Sequence, residues 1–234
     1  EATFVTAQSV VPPVVFEVSV VAFDLDGTLV DTLPDLHAAT NLTLHDMGYE
    51  AVSSRTVRQY IGQGIEYLLK ELFTELNISH TAINFDEVAQ QFRTHYAQHV
   101  CDQSALFPGI ANALEGLKSS GIGLACLTNK SELFTQPILK KLEIWDYFQE
   151  VVCGDTFAKR KPDPLPLIEL AARFDVGPSR VLMVGDSKTD TACARNAGAP
   201  VVCVPYGYRS GMALTELDCD LILNDANDLL RLVR

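Results

Sequence analysis

The sequence predicts an α/β fold in which a parallel sheet is covered by helices and carries an inserted all-helical domain. Three observations lead there. Short apolar, β-prone runs recur at 18–23, 122–127, 151–153, 181–184, 201–204 and 221–223. Segments with apolar spacing near three and four, such as "GIANALEGLKSS" and "PLPLIELAARF", lie between them. The block 34–104 holds helical patterns and no convincing strand. Continuous apolar runs mark strands buried on both faces, and parallel neighbours need crossover helices to join them.

In chain order, residues 1–17 ("EATFVTAQSVVPPVVFE") read as a loose leader. They lack a basic n-region, and Pro12-Pro13 interrupt their apolar character, which argues against a secretory signal. Glu1 is not a start methionine. The first strand runs straight into Asp24 and Asp26 and a Gly27-Thr28 turn. "PDLHAATNLTLHDMG" then predicts a helix with Pro34 near its start and Gly48 at its end. "YLLKELFTEL" and "DEVAQQFRTHYAQHV" predict two more. Beyond 104 the strand–helix alternation resumes, with Gly121, Gly177 and Gly198 where helices would end. The expected division is a leader at 1–17, a Rossmann-like core at 18–33 and 105–234, and a helical cap at 34–104.

A chain of 234 residues, 47% hydrophobic, is long enough for one large domain with a smaller insertion. Its net charge of -12 argues against a nucleic-acid partner, because phosphate backbones are bound by excess Lys and Arg. No run approaches the roughly 20 apolar residues of a membrane span. Cys101, Cys126, Cys153, Cys193, Cys203 and Cys219 form no C-x-x-C pair and mostly sit in apolar runs. Free thiols in a reducing, cytoplasmic compartment are the expectation.

Four polar clusters follow predicted strands. They are Asp24 with Asp26, Thr128 with Asn129 in "LTNK", Lys161 in "KRKPDP", and Asp186 with Asp190 in "GDSKTD". In open α/β sheets, ligands bind beyond the carboxyl ends of the strands, so these groups are expected in one crevice. Clustered carboxylates cannot all ionise without a cation. Hard oxygen ligands without a His/Cys set favour Mg²⁺ over zinc. A metal ion, Lys161 and backbone amides would make an acidic protein locally attractive to a small phosphorylated metabolite. One acid can attack phosphorus while another handles protons.

"DLDGTLVDT", "LTN", the lysine of "KP" and "GDSKTD" occur in the order of the four motifs of the haloacid dehalogenase superfamily, which the chain resembles. The resemblance implies Asp24 as the nucleophile that forms an aspartyl-phosphate, and Asp26 as acid and then base. It implies Thr128 and Lys161 as holders of the phosphoryl oxygens, with Asn129 in support. It places Mg²⁺ on the Asp24 side chain, the Asp26 carbonyl and Asp186, with Asp190 close behind. An acid at Asp26 favours phosphate esters over the dehalogenase and ATPase branches.

"PDLHAATNLTL", "RQYIGQGIEYLLKELF", "FRTHYAQH", "FPGI", "LTNKSELFTQPIL" and "PVVCVPYGYRSG" also look like the phosphoglycolate phosphatases within that superfamily. That likeness implies 2-phosphoglycolate as substrate. It sets Gly62, Gln63 and Gly64 in a cap loop that meets the substrate's non-phosphate end. Other small sugar phosphates, a mutase of the β-phosphoglucomutase type and a catalytically silent phosphometabolite-binding module are the rivals. A Gly-rich turn between cap helices is the plainer reading of "GQG". His95 and His99, four apart on a helix, read as cap surface rather than a metal pair. Arg160 has no assigned role, and Tyr206 and Tyr208 pack or close a loop. The oligomeric state is not readable.

Overall fold

The computed structural model describes residues 14–234, so residues 1–13 of the predicted leader, Pro12-Pro13 included, lie outside it. In chain order the elements are β1 (Val20–Phe23), β2 (Val30–Asp31), α1 (Leu33–Asp46), α2 (Ser54–Arg58), α3 (Ile65–Glu75), α4 (Phe85–Gln98) and β3 (Ala105–Leu106). Then come α5 (Ile110–Ser119), β4 (Gly123–Leu127), α6 (Glu132–Lys141), β5 (Glu150–Val152), α7 (Leu165–Arg173), β6 (Val181–Gly185) and α8 (Lys188–Ala197). β7 (Val201–Cys203), β8 (Leu221–Ile222) and α9 (Leu229–Leu232) complete the chain, with short 3-10 turns between.

Six strands form one parallel sheet in the order β5-β4-β1-β6-β7-β8. β1 pairs with β4 on one side and β6 on the other, so the connections diverge at its carboxyl end and open a crevice there. Alternation along β1 sorts the core into two layers. Val21 and Phe23 face the cluster built with α5, α6 and α9; Val20 and Ala22 face the one built with α7 and α8. With both faces covered, all four β1 residues are buried. This explains a run with no polar position.

α1 to α4 have a core of their own, built from residues such as Leu36, Val57, Leu72 and Phe92. Phe134 from α6 and Tyr208 from beyond β7 enter that core, so the sheet domain contributes to the cap's packing. β2 and β3 pair antiparallel where the chain leaves for the helices and returns. Asp35, buried in the first turn of α1, accepts from the backbone N–H groups of Gln103 and Ser104 and from the Ser104 hydroxyl. One carboxylate thus ties the start of α1 to the segment that returns into β3.

Some local expectations need correction. The predicted leader is held at its end, because Phe16 bridges Val233 and donates its N–H to the Leu232 carbonyl at 2.7 Å. Gly177 does not stop a helix: α7 ends at Arg173 and Asp175 adopts the left-handed conformation, φ 56, so the turn is made two residues earlier. Asp tolerates that region better than most side chains. Gly198 does cap α8 with φ 76. His95 and His99 hold different acids, Asp46 and Asp102, each at 2.7 Å. All six cysteines are free. No helix among the described residues is long and apolar enough to cross a membrane.

Candidate active site

The carboxyl ends of β1, β4 and β6 and the loop after β5 bring together Asp24, Asp26, Thr128, Asn129, Lys161, Asp186 and Asp190, all buried. Asp24 extends the ladder, donating its N–H to the Val184 carbonyl at 2.9 Å. Its side chain therefore stands at the strand tip. Lys161 donates to Asp24 Oδ1 at 3.0 Å, to Asp190 Oδ1 at 2.7 Å and to the Leu127 carbonyl at 2.7 Å. Its three protons are all used.

Asp26 is held on one oxygen only. Its Oδ1 accepts from the Thr32 hydroxyl at 2.5 Å and faces Lys130 Nζ at 3.1 Å. Among the described residues, no donor reaches Oδ2 of Asp26 or Oδ2 of Asp24. Lys130 also donates to the Tyr96 hydroxyl at 2.9 Å, which binds the floor of the cap to this acid. The sequence reading expected a single lysine and missed Lys130. Its one signal was adjacency to Thr128 and Asn129 in "LTNK", and a lone lysine there also reads as surface.

Asp190 opens α8 as well as facing Lys161. Ser187 is the N-cap, and Asp190 Oδ2 accepts from the Ser187 N–H at 3.2 Å and the Asp186 N–H at 3.0 Å in a capping box. Gly185 is required here, since a Cβ on it would lie 2.3 Å from the Asp190 carboxyl carbon. Asp186 Oδ2 accepts from the Tyr208 N–H at 2.7 Å, and Oδ1 takes the Thr28 hydroxyl at 3.3 Å. Tyr208 itself donates to Asp31 at 2.5 Å and accepts from the Leu33 N–H at 3.0 Å. Tyr206 stacks near Phe107, ring centroids 4.2 Å apart, and donates to the Thr28 carbonyl.

Burial and the neighbouring Asp190 charge push the Asp24 carboxyl well above the usual carboxylate range, against the pull of Lys161. The same two causes carry Asp186 up to about 7. Burial works against the Lys161 ammonium, but Asp190 and Asp24 more than offset it and hold its proton tightly. Asp26 does the same for Lys130.

These residues fit a divalent cation. Asp24, Asp186 and Asp190 each offer an oxygen within 4.8 Å of the others. Four buried aspartates face two buried lysines, leaving a formal charge deficit that a divalent cation would fill. All the donors are hard oxygens. Asp190 spends its oxygens on Lys161 and on the amides that open α8, Asp186 accepts on both oxygens with only a 3.3 Å contact on Oδ1, and Oδ2 of Asp24 has no donor among the described residues.

Thr128 accepts from the Lys130 N–H at 3.1 Å, which leaves its own proton free to donate. Asn129 spends its amide protons on the Gly62 carbonyl at 3.1 Å and the Lys161 carbonyl at 2.8 Å. It is a strut between cap and core, and its buried Oδ1 has no partner among the described residues. A cleft of about 230 Å³ opens above Asp24 and Asp26, lined in part by Gly62, Gly64, Thr128, Arg93 and Arg160. Gln63 is half-buried and not among its lining residues.

Residues 21–204 match the model of the haloacid dehalogenase-like hydrolases, and the chain belongs to that family. Among its relatives, the phosphoglycolate phosphatase of Thiobacillus denitrificans is 42% identical over 207 residues, 88% of this chain and 91% of that one. That of Nitrosospira multiformis is 40% identical and covers 93% of this chain and 96% of its own. A crystal structure of a predicted phosphoglycolate phosphatase from Haemophilus somnus superposes with a TM-score of 0.87 at 34% identity, covering 92% of this chain and 97% of that chain.

Proposed function

We propose that this hydrolase converts 2-phosphoglycolate and water to glycolate and phosphate, with Mg²⁺ bound, through an aspartyl-phosphate on Asp24. The observation that carries the reading is an Asp24 carboxylate with one oxygen pinned by Lys161 and the other free beneath a small cleft. At about 230 Å³ the cleft is below the range of drug-sized pockets and suits a small ester. The relatives named as phosphoglycolate phosphatases favour this ester among small ones.

In the first step an Asp24 oxygen attacks phosphorus. The bond from phosphorus to the glycolate oxygen breaks, and Asp26 gives that oxygen its proton. In the second step water attacks the phosphorus, Asp26 takes a proton from it, and the bond to Asp24 breaks to restore the carboxylate. The unpartnered Oδ2 of Asp26 is the oxygen assigned to both transfers. Thr128 donates its free proton to a phosphoryl oxygen, and Lys161 offsets the charge that would otherwise repel Asp24 from the substrate. Asp24, Asp186 and the Asp26 carbonyl would hold Mg²⁺, which would draw charge from the phosphoryl oxygens when bound. Asp190 orients this group through Lys161 and the Asp186 N–H. Residues 34–104 act as the cap, with Gly62 and Gly64 at the cleft and Gln63 outside its lining.

The test is phosphate release from a panel of esters. The expected result is the highest kcat/KM on 2-phosphoglycolate, dependence on Mg²⁺ and no turnover in chelator. A hexose monophosphate returned as its isomer, without free phosphate, would support a mutase instead.

A further inference from the structure

Arg160 precedes Lys161 and lines the same cleft as Asp24, Asp26 and Thr128. The other cations around the cleft are committed. Lys130 pairs with Asp26, Lys161 with Asp24 and Asp190, and Arg93 with Glu66. On the wall beside it, Asp155 accepts from the Glu132 N–H. Among the described residues, the Arg160 guanidinium has no hydrogen bond and no ion pair. It is the one cleft cation with its donors available.

Its guanidinium end reaches the cap loop. Gly64 has φ +91, and a Cβ there would lie 2.8 Å from Arg160 Nη1. The guanidinium therefore lies beside the Gly64 backbone, whose positive φ favours glycine. Gly64 also begins α3, whose first turn has no side-chain cap. Two groups of like polarity face each other there, an arrangement that an anion between them would relieve. The phosphoryl end of the substrate is already served by Lys161, Thr128 and the acidic cluster. What remains for an uncommitted planar fork is a carboxylate, which it matches with two parallel hydrogen bonds.

We propose that Arg160 determines specificity by receiving the carboxylate of the substrate, at the cap-facing end of the cleft. This rests on the 2-phosphoglycolate reading above. It assigns the recognition of the non-phosphate end to a core residue seated against the cap loop.

The test compares 2-phosphoglycolate with 2-hydroxyethyl phosphate, in which a hydroxymethyl group replaces the carboxylate. Both are assayed with the wild type, Arg160→Gln and Arg160→Lys at saturating Mg²⁺. Arg160 is exposed on a loop, and thermal melting of each variant checks its fold. The wild type is expected to prefer 2-phosphoglycolate. Arg160→Gln should reduce that preference by about 10- to 100-fold, mainly through KM, as loss of a charge-assisted contact predicts. Arg160→Lys should fall between, since a point charge keeps attraction and loses the fork. A wild-type preference that survives Arg160→Gln overturns this inference alone, and so does an equal loss on both esters. A wild type with no preference overturns the substrate reading and this inference with it.

Discussion

Lys161 and Asp190 form a buried ion pair, Nζ 2.7 Å from Oδ1, and the second oxygen of the same carboxylate caps the start of α8. Lys161 and the loop that carries Asp186 are therefore set by one side chain. Asp190→Asn keeps the shape but has a single acceptor oxygen, which can serve Lys161 or the α8 amides and not both. Breaking a buried pair from one side costs about 3–5 kcal/mol. The expected outcome is a loss near the lower end in denaturant unfolding, with kcat down by about 10²-fold or more. Lys161→Met and the double variant complete a cycle, and additive losses would mean the two residues act independently.

Mg²⁺ is expected to raise the melting temperature of the wild type, because it would stabilise buried carboxylates that burial and mutual repulsion disfavour as anions. Asp186→Asn keeps an acceptor for the Tyr208 N–H while removing a charged ligand. It should show little or no Mg²⁺ shift and lose turnover. A shift equal to the wild type's would remove Asp186 from the metal site.

Lys130→Met tests the second lysine. It leaves Asp26 with the Thr32 hydroxyl and no buried counterion. Turnover should fall by about 10²-fold, within the range of general acid–base assistance. Tyr96→Phe keeps the ion pair and removes one neutral hydrogen-bond partner, a loss of about 1 kcal/mol in stability. Steady-state kcat should rank the wild type above Tyr96→Phe, and Tyr96→Phe well above Lys130→Met. Equal values for the two variants would mean that Lys130 matters only for packing.

Lys130 also marks where the sequence stops being legible. The inner strands β4, β1, β6 and β7 were readable because burial on both faces leaves continuous apolar runs, and the half-buried edge strands β5 and β8 showed only short ones. Asp24, Asp26 and Asp186 were readable because they follow those runs at strand ends, whereas Lys161, nine residues past β5, and Asp190, in the first turn of α8, were readable through the resemblance of "KP" and "GDSKTD" to known motifs. Lys130 was not, because its meaning depends on Asp26 and Tyr96, which are 104 and 34 residues away. The β2–β3 ladder has two residues per strand, too few to produce a period. From sequence, Tyr208 reads as a residue that packs or closes a loop. Its backbone contact to Asp186 and its hydroxyl contacts to Asp31 and Leu33 appear only once the loop after β7 is folded back.

Tyr208→Phe separates those contacts. The backbone N–H to Asp186 remains, while the hydroxyl that joins Asp31 to the start of α1 is lost. Stability should fall by about 1–2 kcal/mol. Hydrogen exchange at the Leu33 amide should accelerate, and the Mg²⁺ requirement should stay near that of the wild type. Unchanged protection at Leu33 would show that the hydroxyl does not pin the entry to the cap.

Asp26→Asn tests the two-role assignment itself. In the variant, an amide oxygen can keep the bonds that Oδ1 makes to Thr32 and Lys130, so the side chain stays in place. What is lost is a proton donor and acceptor at the other position. An alkyl ester leaves as a strongly basic alkoxide and needs an acid in the first step. A nitrophenyl ester leaves as a weakly basic phenolate and hardly needs one. The second step needs a base with either substrate, and such assistance is worth about 10²–10⁴-fold. Turnover of the alkyl ester should therefore fall at both steps, and that of the aryl ester mainly at the second. Rapid mixing of the aryl ester with the variant at saturating Mg²⁺ should give a burst of phenolate near one per active site. A slow steady state and a trappable phosphoenzyme on Asp24 should follow. If Mg²⁺ binds and no burst appears, Asp26 either assists the first step for every leaving group or chiefly organises the metal site, and its assignment to both proton transfers fails.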